Sequence, residues 1–256
     1  IRYVERGSGA PVILVHSFTG DFEREYVASG FFDAIAASHR AIGFDLRGHG
    51  SSGKPHDPAR YGIEMGHDLV RLLDGLRIDR AHVLGYSLGA HIVAKLLAMH
   101  SDRFLTAILG GAPGRRNWTR DDDERIEREA RELEAGTLHD QLLRLWPKGR
   151  NRPTEDQLRE RSRAILAGND TLDLAAVRRS SATQAITDAQ LAALNVPVLG
   201  VVGSRDPYRA QFEELRAILA DFRLVIIEGA THNNALARPE FLASVRAFLH
   251  EHVHPE

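Results

Sequence analysis

Short apolar runs rich in β-branched residues recur along the 256 residues, and each is followed by a longer stretch with helical spacing. Strands buried on both faces need continuous apolar sequence, and parallel neighbours need a crossover between them. The alternation therefore predicts an α/β fold, with a mostly parallel central sheet flanked by helices. The runs place strands at 11–15, 41–44, 81–84, 105–109, 198–202 and 224–227. Helices are expected at 31–38, 63–76, 88–100, 210–219 and 239–250. In such open sheets ligands bind beyond the carboxyl ends of the strands. The polar residues discussed below all follow those ends.

One segment breaks the alternation. From 115 to 188 there is no strand signal, and charged, helix-favouring sequence takes over. Residues 121–134 are dense in acids and arginines, with Ile126, Ala130 and Leu133 as a thin apolar stripe. A second stripe, Leu138, Leu142 and Leu145 beside Trp146, ends at Pro147, and Thr154 with Gln157 forms a capping-box pattern that opens a third helix. The organisation expected is a core made of 1–114 and 189–256, with 115–188 as a helical cap inserted into it. No repeat or low-complexity linker separates the two, so the cap is expected to fold with the core.

Lys and Arg total 33 against 35 Asp and Glu, a net charge of -2 that supplies no basic field for nucleic acid. The absence of cysteine excludes a thiol nucleophile and any Cys-ligated metal. No apolar run reaches the roughly 18 residues of a membrane span, so none is expected. The compartment stays open between cytoplasmic and exported. The chain opens at Ile1 rather than Met, which leads us to expect a trimmed N-terminus.

The strongest local signal is Gly85-Tyr86-Ser87-Leu88-Gly89, set between an expected strand and an expected helix. A serine on so sharp a turn needs very small neighbours two residues to either side, because strand and helix backbones pass close together there. In a chain with 22 Gly the string alone is weak, and its strand-to-helix context raises its weight. A serine hydroxyl needs a base to become a nucleophile, and the base needs an orienting carboxylate. Asp206 and His232 each follow one of the last two strands, which gives the order nucleophile, acid, base. Negative charge developing on a substrate oxygen calls for N–H donors. The Leu88 N–H is one candidate, and the turn at 16–20 should supply the other.

Taken in order, these segments resemble the capped α/β-hydrolase superfamily, in its serine esterase-like branch, over nearly the whole chain. The matches are His16 with its turn, Asp45-Leu46-Arg47-Gly48-His49-Gly50-Ser51-Ser52, the Ser87 turn, Asp206 and His232. The resemblance implies that Phe18 gives the second oxyanion N–H, while His16, Arg47 and His49 shape the neighbouring turns. It usually has Gly where this chain has Ser17, so a narrower hole or an added hydroxyl donor is expected there. Its sheet usually begins with strands that this chain lacks or enters midway at Ile1.

The implied function is cleavage of a carboxylic ester or related acyl bond through an acyl-enzyme on Ser87. No cofactor or metal is expected, the partner is a small acyl substrate, and the assembly is a monomer or small homo-oligomer. Serine rather than aspartate at position 87 argues against the dehalogenase and epoxide hydrolase branches. It leaves esterases, lactonases, carbon–carbon bond hydrolases and perhydrolases, with a ligand-binding receptor on the same fold as the alternative from another class. Ser17, Tyr86, Trp118 and Trp146 are expected to contact substrate. Asp45 and 121–123 are assigned to a turn and a helix start, and His250, His252 and His254 to adventitious metal capture at most.

Overall fold

The computed structural model describes residues 1–252. Its strands are β1 (Tyr3–Arg6), β2 (Pro11–Val15), β3 (Arg40–Phe44), β4 (Ala81–Tyr86), β5 (Phe104–Gly110), the two-residue β6 (Arg115–Arg116) and β7 (Ala185–Ile186), β8 (Val198–Gly203) and β9 (Phe222–Ile227). The helices of the first half are α1 (Phe31–Ala36), α2 (Ile63–Gly75) and α3 (Leu88–His100). Between β6 and β7 come α4 (Arg120–Glu134), α5 (His139–Arg144), α6 (Glu155–Leu166) and α7 (Thr171–Arg179). After β7 come α8 (Asp188–Ala192), α9 (Arg209–Leu215) and α10 (Pro239–Glu251).

Seven strands form one sheet in the order β1-β3-β2-β4-β5-β8-β9. Only β1 runs antiparallel, pairing Tyr3 with Phe44 and Arg6 with Ala41. This strand lies at one edge of the sheet. Its residues Tyr3, Glu5 and Arg6 are exposed, so it lacks the apolar run by which the other strands were legible. Alternate residues of the central strands face opposite layers. Ile13, Val15, Ile42 and Val83 pack with Leu69, Leu73, Leu96 and Phe212 on one side, and Val12, Leu14 and Leu84 pack with Phe31, Ile35, Phe241 and Phe248 on the other. Each large apolar side chain so buried stabilises the fold by roughly 1.5–3 kcal/mol.

The apolar stripes of the helices after β5 are buried: Ile126, Ala130 and Leu133 on α4, and Leu138, Leu142 and Leu145 around α5. Capping boxes at Thr119 with Asp122 and at Thr154 with Gln157 start α4 and α6. Two short strands before α4 and after α7 escaped the sequence reading, since β6 and β7 have two residues each and pair with one another. Helix α7 also escaped it, because its buried residues include Asp173 and Arg178 beside Leu174 and Val177, which blurs the apolar period. Among the described residues no helix is long and apolar enough to cross a membrane.

Candidate active site

Strand β4 delivers the chain to Ser87, whose φ of 52° and ψ of -106° lie outside the ordinary regions for a residue with a side chain. Such strain costs about 1–3 kcal/mol and persists only where the surroundings impose it. Here the Ser87 N–H donates to the Gly110 carbonyl at 2.8 Å and Ser87 leads directly into α3. The flanking glycines are sterically required. A Cβ on Gly89 would lie 2.2 Å from the Val15 carbonyl oxygen, and one on Gly85 would lie 2.3 Å from the Gly89 carbonyl.

The structure brings together Ser87, Asp206 and His232, which come from three different turns. Ser87 Oγ is 2.9 Å from His232 Nε2, and His232 Nδ1 is 3.0 Å from Asp206 Oδ2. Asp206 and His232 are both buried. A carboxylate only accepts, so the network assigns the imidazole proton to Nδ1 and leaves Nε2 to accept from the serine hydroxyl. The other carboxylate oxygen of Asp206 accepts the Tyr208 N–H at 2.9 Å, which locks the acid's orientation. Tyr86 lines the cavity beside Ser87, and its hydroxyl donates to the His232 carbonyl at 2.6 Å. Its geometry is therefore that of a support for the His232 loop.

The turn after β2 is held by two neutral imidazoles. His16 accepts the Leu46 N–H at Nε2 (3.0 Å) and donates Nδ1–H to the Ser17 carbonyl (2.8 Å). Burial, then the nearby His49, pushes the His16 pKa down to about 3, so it stays uncharged. Burial also lowers the His49 pKa. Its ring faces the Phe18 carbonyl at 2.7 Å and the Arg47 carbonyl at 3.0 Å, and a neutral imidazole has one N–H to give. The shorter contact assigns it to Phe18. With these carbonyls fixed, the N–H groups of Phe18 and Leu88 have no protein acceptor among the described residues. Leu88 is the first residue of α3, where N–H groups are free and the helix end is positive.

Ser17 does not offer its hydroxyl as a spare donor. Its N–H is 3.1 and 3.2 Å from the two Glu25 carboxylate oxygens, and its hydroxyl donates to the same group. Glu25 sits on a short π-helical turn, Glu23–Val27, and burial lifts its pKa to about 7 against the opposing bonds from Ser17. Nothing in the local sequence marks it as a site residue, since the π turn that aims it inward has no periodic signature.

A cavity of about 550 Å³ opens over Ser87 and His232. Ser17, Phe18 and Glu25 line it from the core, and Leu145, Ala164 and Ile165 line it from the insert. Neither tryptophan borders it. Trp118 donates its indole N–H to Asp123 and faces a neighbouring chamber, while Trp146 donates to the Asn151 carbonyl and lines a pocket with Leu142 and Thr231. Tyr208, two residues after the acid, was also missed by the sequence reading, and its ring centre lies 5.7 Å from that of His232.

Away from Ser87, His56, Asp170 and Asp173 bring ligand atoms within 4.8 Å of one another. His56 Nε2 lies 2.8 Å from Asp170, Asp173 accepts the Tyr61 hydroxyl, and Asp170 caps α7. Asp45 accepts the Phe22 and Ser51 N–H groups at 3.0 and 2.9 Å and touches none of the three central residues. Of the C-terminal histidines, His254 lies outside the described residues.

Comparison with known proteins agrees with this architecture. An esterase of Escherichia coli, YbfF, is 35% identical over 96 residues, 38% of this chain and 36% of that protein, so the match spans about a third of the relative's length. The structure of an esterase from Thermogutta terrifontis superposes with a TM-score of 0.82 at 22% identity, covering 99% of this chain and 94% of that one. The enol-lactonase of Burkholderia xenovorans LB400 superposes with a TM-score of 0.76 at 25% identity, covering 97% and 96%. The sequence model of the alpha/beta hydrolase fold matches residues 10–237, and the chain belongs to that family.

Proposed function

We propose that this protein is a serine hydrolase that cleaves a carboxylic ester or related acyl bond, lactones included, through an acyl-enzyme on Ser87. The observation that carries the reading is the continuous relay from Ser87 Oγ to His232 Nε2 (2.9 Å) and from His232 Nδ1 to Asp206 (3.0 Å). Ser87 Oγ attacks the substrate carbonyl as its proton passes to His232 Nε2, and Asp206 stabilises the imidazolium that results. The N–H groups of Phe18 and Leu88 hold the oxyanion, worth a few kcal/mol in such sites. His232 then protonates the leaving group, and in the second half-reaction it takes a proton from the water that cleaves the acyl-enzyme.

Residues 115–188 act in this reading as a cap. Side chains from α6 and from the end of α5 line the same cavity as Ser87, which supports a role in choosing the acyl group. The esterase and lactonase names of the relatives point to the same bond class. A panel of aryl esters and lactones tests the proposal. Turnover by the native chain that Ser87→Ala abolishes is the expected result, and equal turnover by both proteins would refute it.

A further inference from the structure

Beside the Ser87 cavity lies a second chamber of about 260 Å³, bordered by His91, Arg115, Arg144 and Tyr208. A gap of about 20 Å³ has Ser87, Phe18 and Leu88 on its wall together with Arg115, Arg144 and Arg178. The gap shares lining residues with both larger spaces, so the three arginines line the same gap as the reacting serine.

The charges here do not balance. Of the cations around the chamber, Arg116 is paired with Asp188 (2.7 Å) and Glu214 (3.1 Å), and Arg125 is paired with Asp122. Arg144 and Arg178 share the buried Glu129 with Arg125, which also lies 3.4 Å from it. Glu129 lies 3.0 Å from Arg144 Nε and 3.0 Å from Arg178 Nε, the latter an ion pair without hydrogen-bond alignment. Arg115 has no carboxylate within ion-pair distance among the described residues. Its Nε donates to Gln184 at 3.0 Å, its guanidinium lies 5.9 Å from the Trp118 ring centre, and its two Nη groups have no hydrogen-bond partner among the described residues. Burial and the neighbouring Arg178 lower its pKa to about 9, which leaves it charged at neutral pH. His91 adds a buried Nδ1 with no partner and is kept neutral by its burial and the same arginines. A buried cation without a counter-ion is unfavourable unless something supplies the charge.

We propose that this chamber is an anion subsite, and that the substrate of the Ser87 centre carries a carboxylate which Arg115 binds. The inference rests on the acyl-hydrolase reading above. The planar fork of Nη donors left free on Arg115 matches the two oxygens of a carboxylate. The apolar part of the substrate then occupies the larger cavity under Leu145 and Ile165.

Two matched ester series test this. One compares aryl hemiesters of succinate, glutarate and adipate with aryl esters of neutral acyl chains of equal length. The other compares acyl esters of 4-hydroxybenzoate with those of its methyl ester. In at least one series the anionic ester should have a kcat/KM about tenfold or more above its neutral counterpart, and Arg115→Gln should bring that ratio close to one. Neutral esters equal or better in both series, or a ratio that Arg115→Gln leaves intact, would overturn the proposal. A binding measurement separates it from the parent reading. Benzoate or succinate alone should raise the melting temperature of the native chain and not that of Arg115→Gln, whether or not any ester is turned over. No shift in either protein, or a shift with inorganic phosphate only, overturns the carboxylate assignment. Failure of every ester while Ser87 also resists acylating reagents counts against the hydrolase reading instead.

Discussion

Replacing Asp206 with Asn separates the acid's orienting role from its packing, because the side chain keeps its shape. The carboxylate accepts on both oxygens, from His232 Nδ1 at 3.0 Å and from the Tyr208 N–H at 2.9 Å. An amide can accept on only one. If its oxygen stays with Tyr208, the NH₂ group faces His232 Nδ1 and drives the ring proton to Nε2, the atom that must accept from Ser87. If it flips, the NH₂ group meets the Tyr208 N–H in a buried site, at a cost of about 1–3 kcal/mol. In either arrangement the imidazolium loses a charged partner worth about 1.5–3 kcal/mol. The two losses together come to about 3–6 kcal/mol of barrier, or roughly 10²–10⁴-fold in kcat at 1.36 kcal/mol per decade. The assay is kcat on an aryl ester alongside urea unfolding, with Asp45→Asn as the comparison, since Asp45 accepts the backbone N–H groups of Phe22 and Ser51 and pairs with Arg2, away from His232. A folded Asp206→Asn protein that keeps more than a tenth of its kcat would refute the tautomer argument.

Three further outcomes follow from the geometry. Gly89→Ala should lower stability by about 3 kcal/mol or more, read from the urea midpoint, because its Cβ meets the β2 backbone; a loss below about 1 kcal/mol would mean that strand and helix can part there. The pKa of Glu25 rises on folding to about 7, so the folded chain holds that proton more tightly and stability should fall as pH climbs from about 4.5 through 7. In Glu25→Gln this part of the fall should vanish in melts at pH 5 and 8, and an unchanged pH dependence would show that water in the cavity solvates the charge. Ile165→Ala enlarges the Ser87 cavity and should shift kcat/KM between short and bulky acyl groups by about 1–3 kcal/mol, whereas Trp146→Ala should scale all of them alike.

The sequence made the core legible because its signals are local. Helix α3 runs over the predicted residues 88–100, and the turn around Ser87 is dictated by Gly85 and Gly89, whose necessity the Gly89 and Val15 carbonyls explain. Asp206 and His232 could be placed because each follows an apolar run that forms a strand, the fully buried β8 and the edge strand β9. What stayed hidden depends on contacts between distant segments. Nothing in the sequence singles out Arg115, Arg144 and Arg178, and only the packing of distant segments buries Arg115 and Arg178 and sets Arg144 and Arg178 on Glu129. The tryptophans read as pocket walls, yet each indole N–H finds an acceptor within five residues and turns away from Ser87. Glu25 needed a π turn, and β1 needed an edge position that no apolar pattern announces.

The central claim is that one serine among those in the chain is activated by His232. An organophosphate or sulfonyl fluoride followed by intact-mass and peptide analysis reads this directly, because reaction depends on the proton acceptor 2.9 Å from Ser87 Oγ. The account predicts a single adduct on Ser87. A single adduct on any other serine, or none on the folded protein, would contradict it.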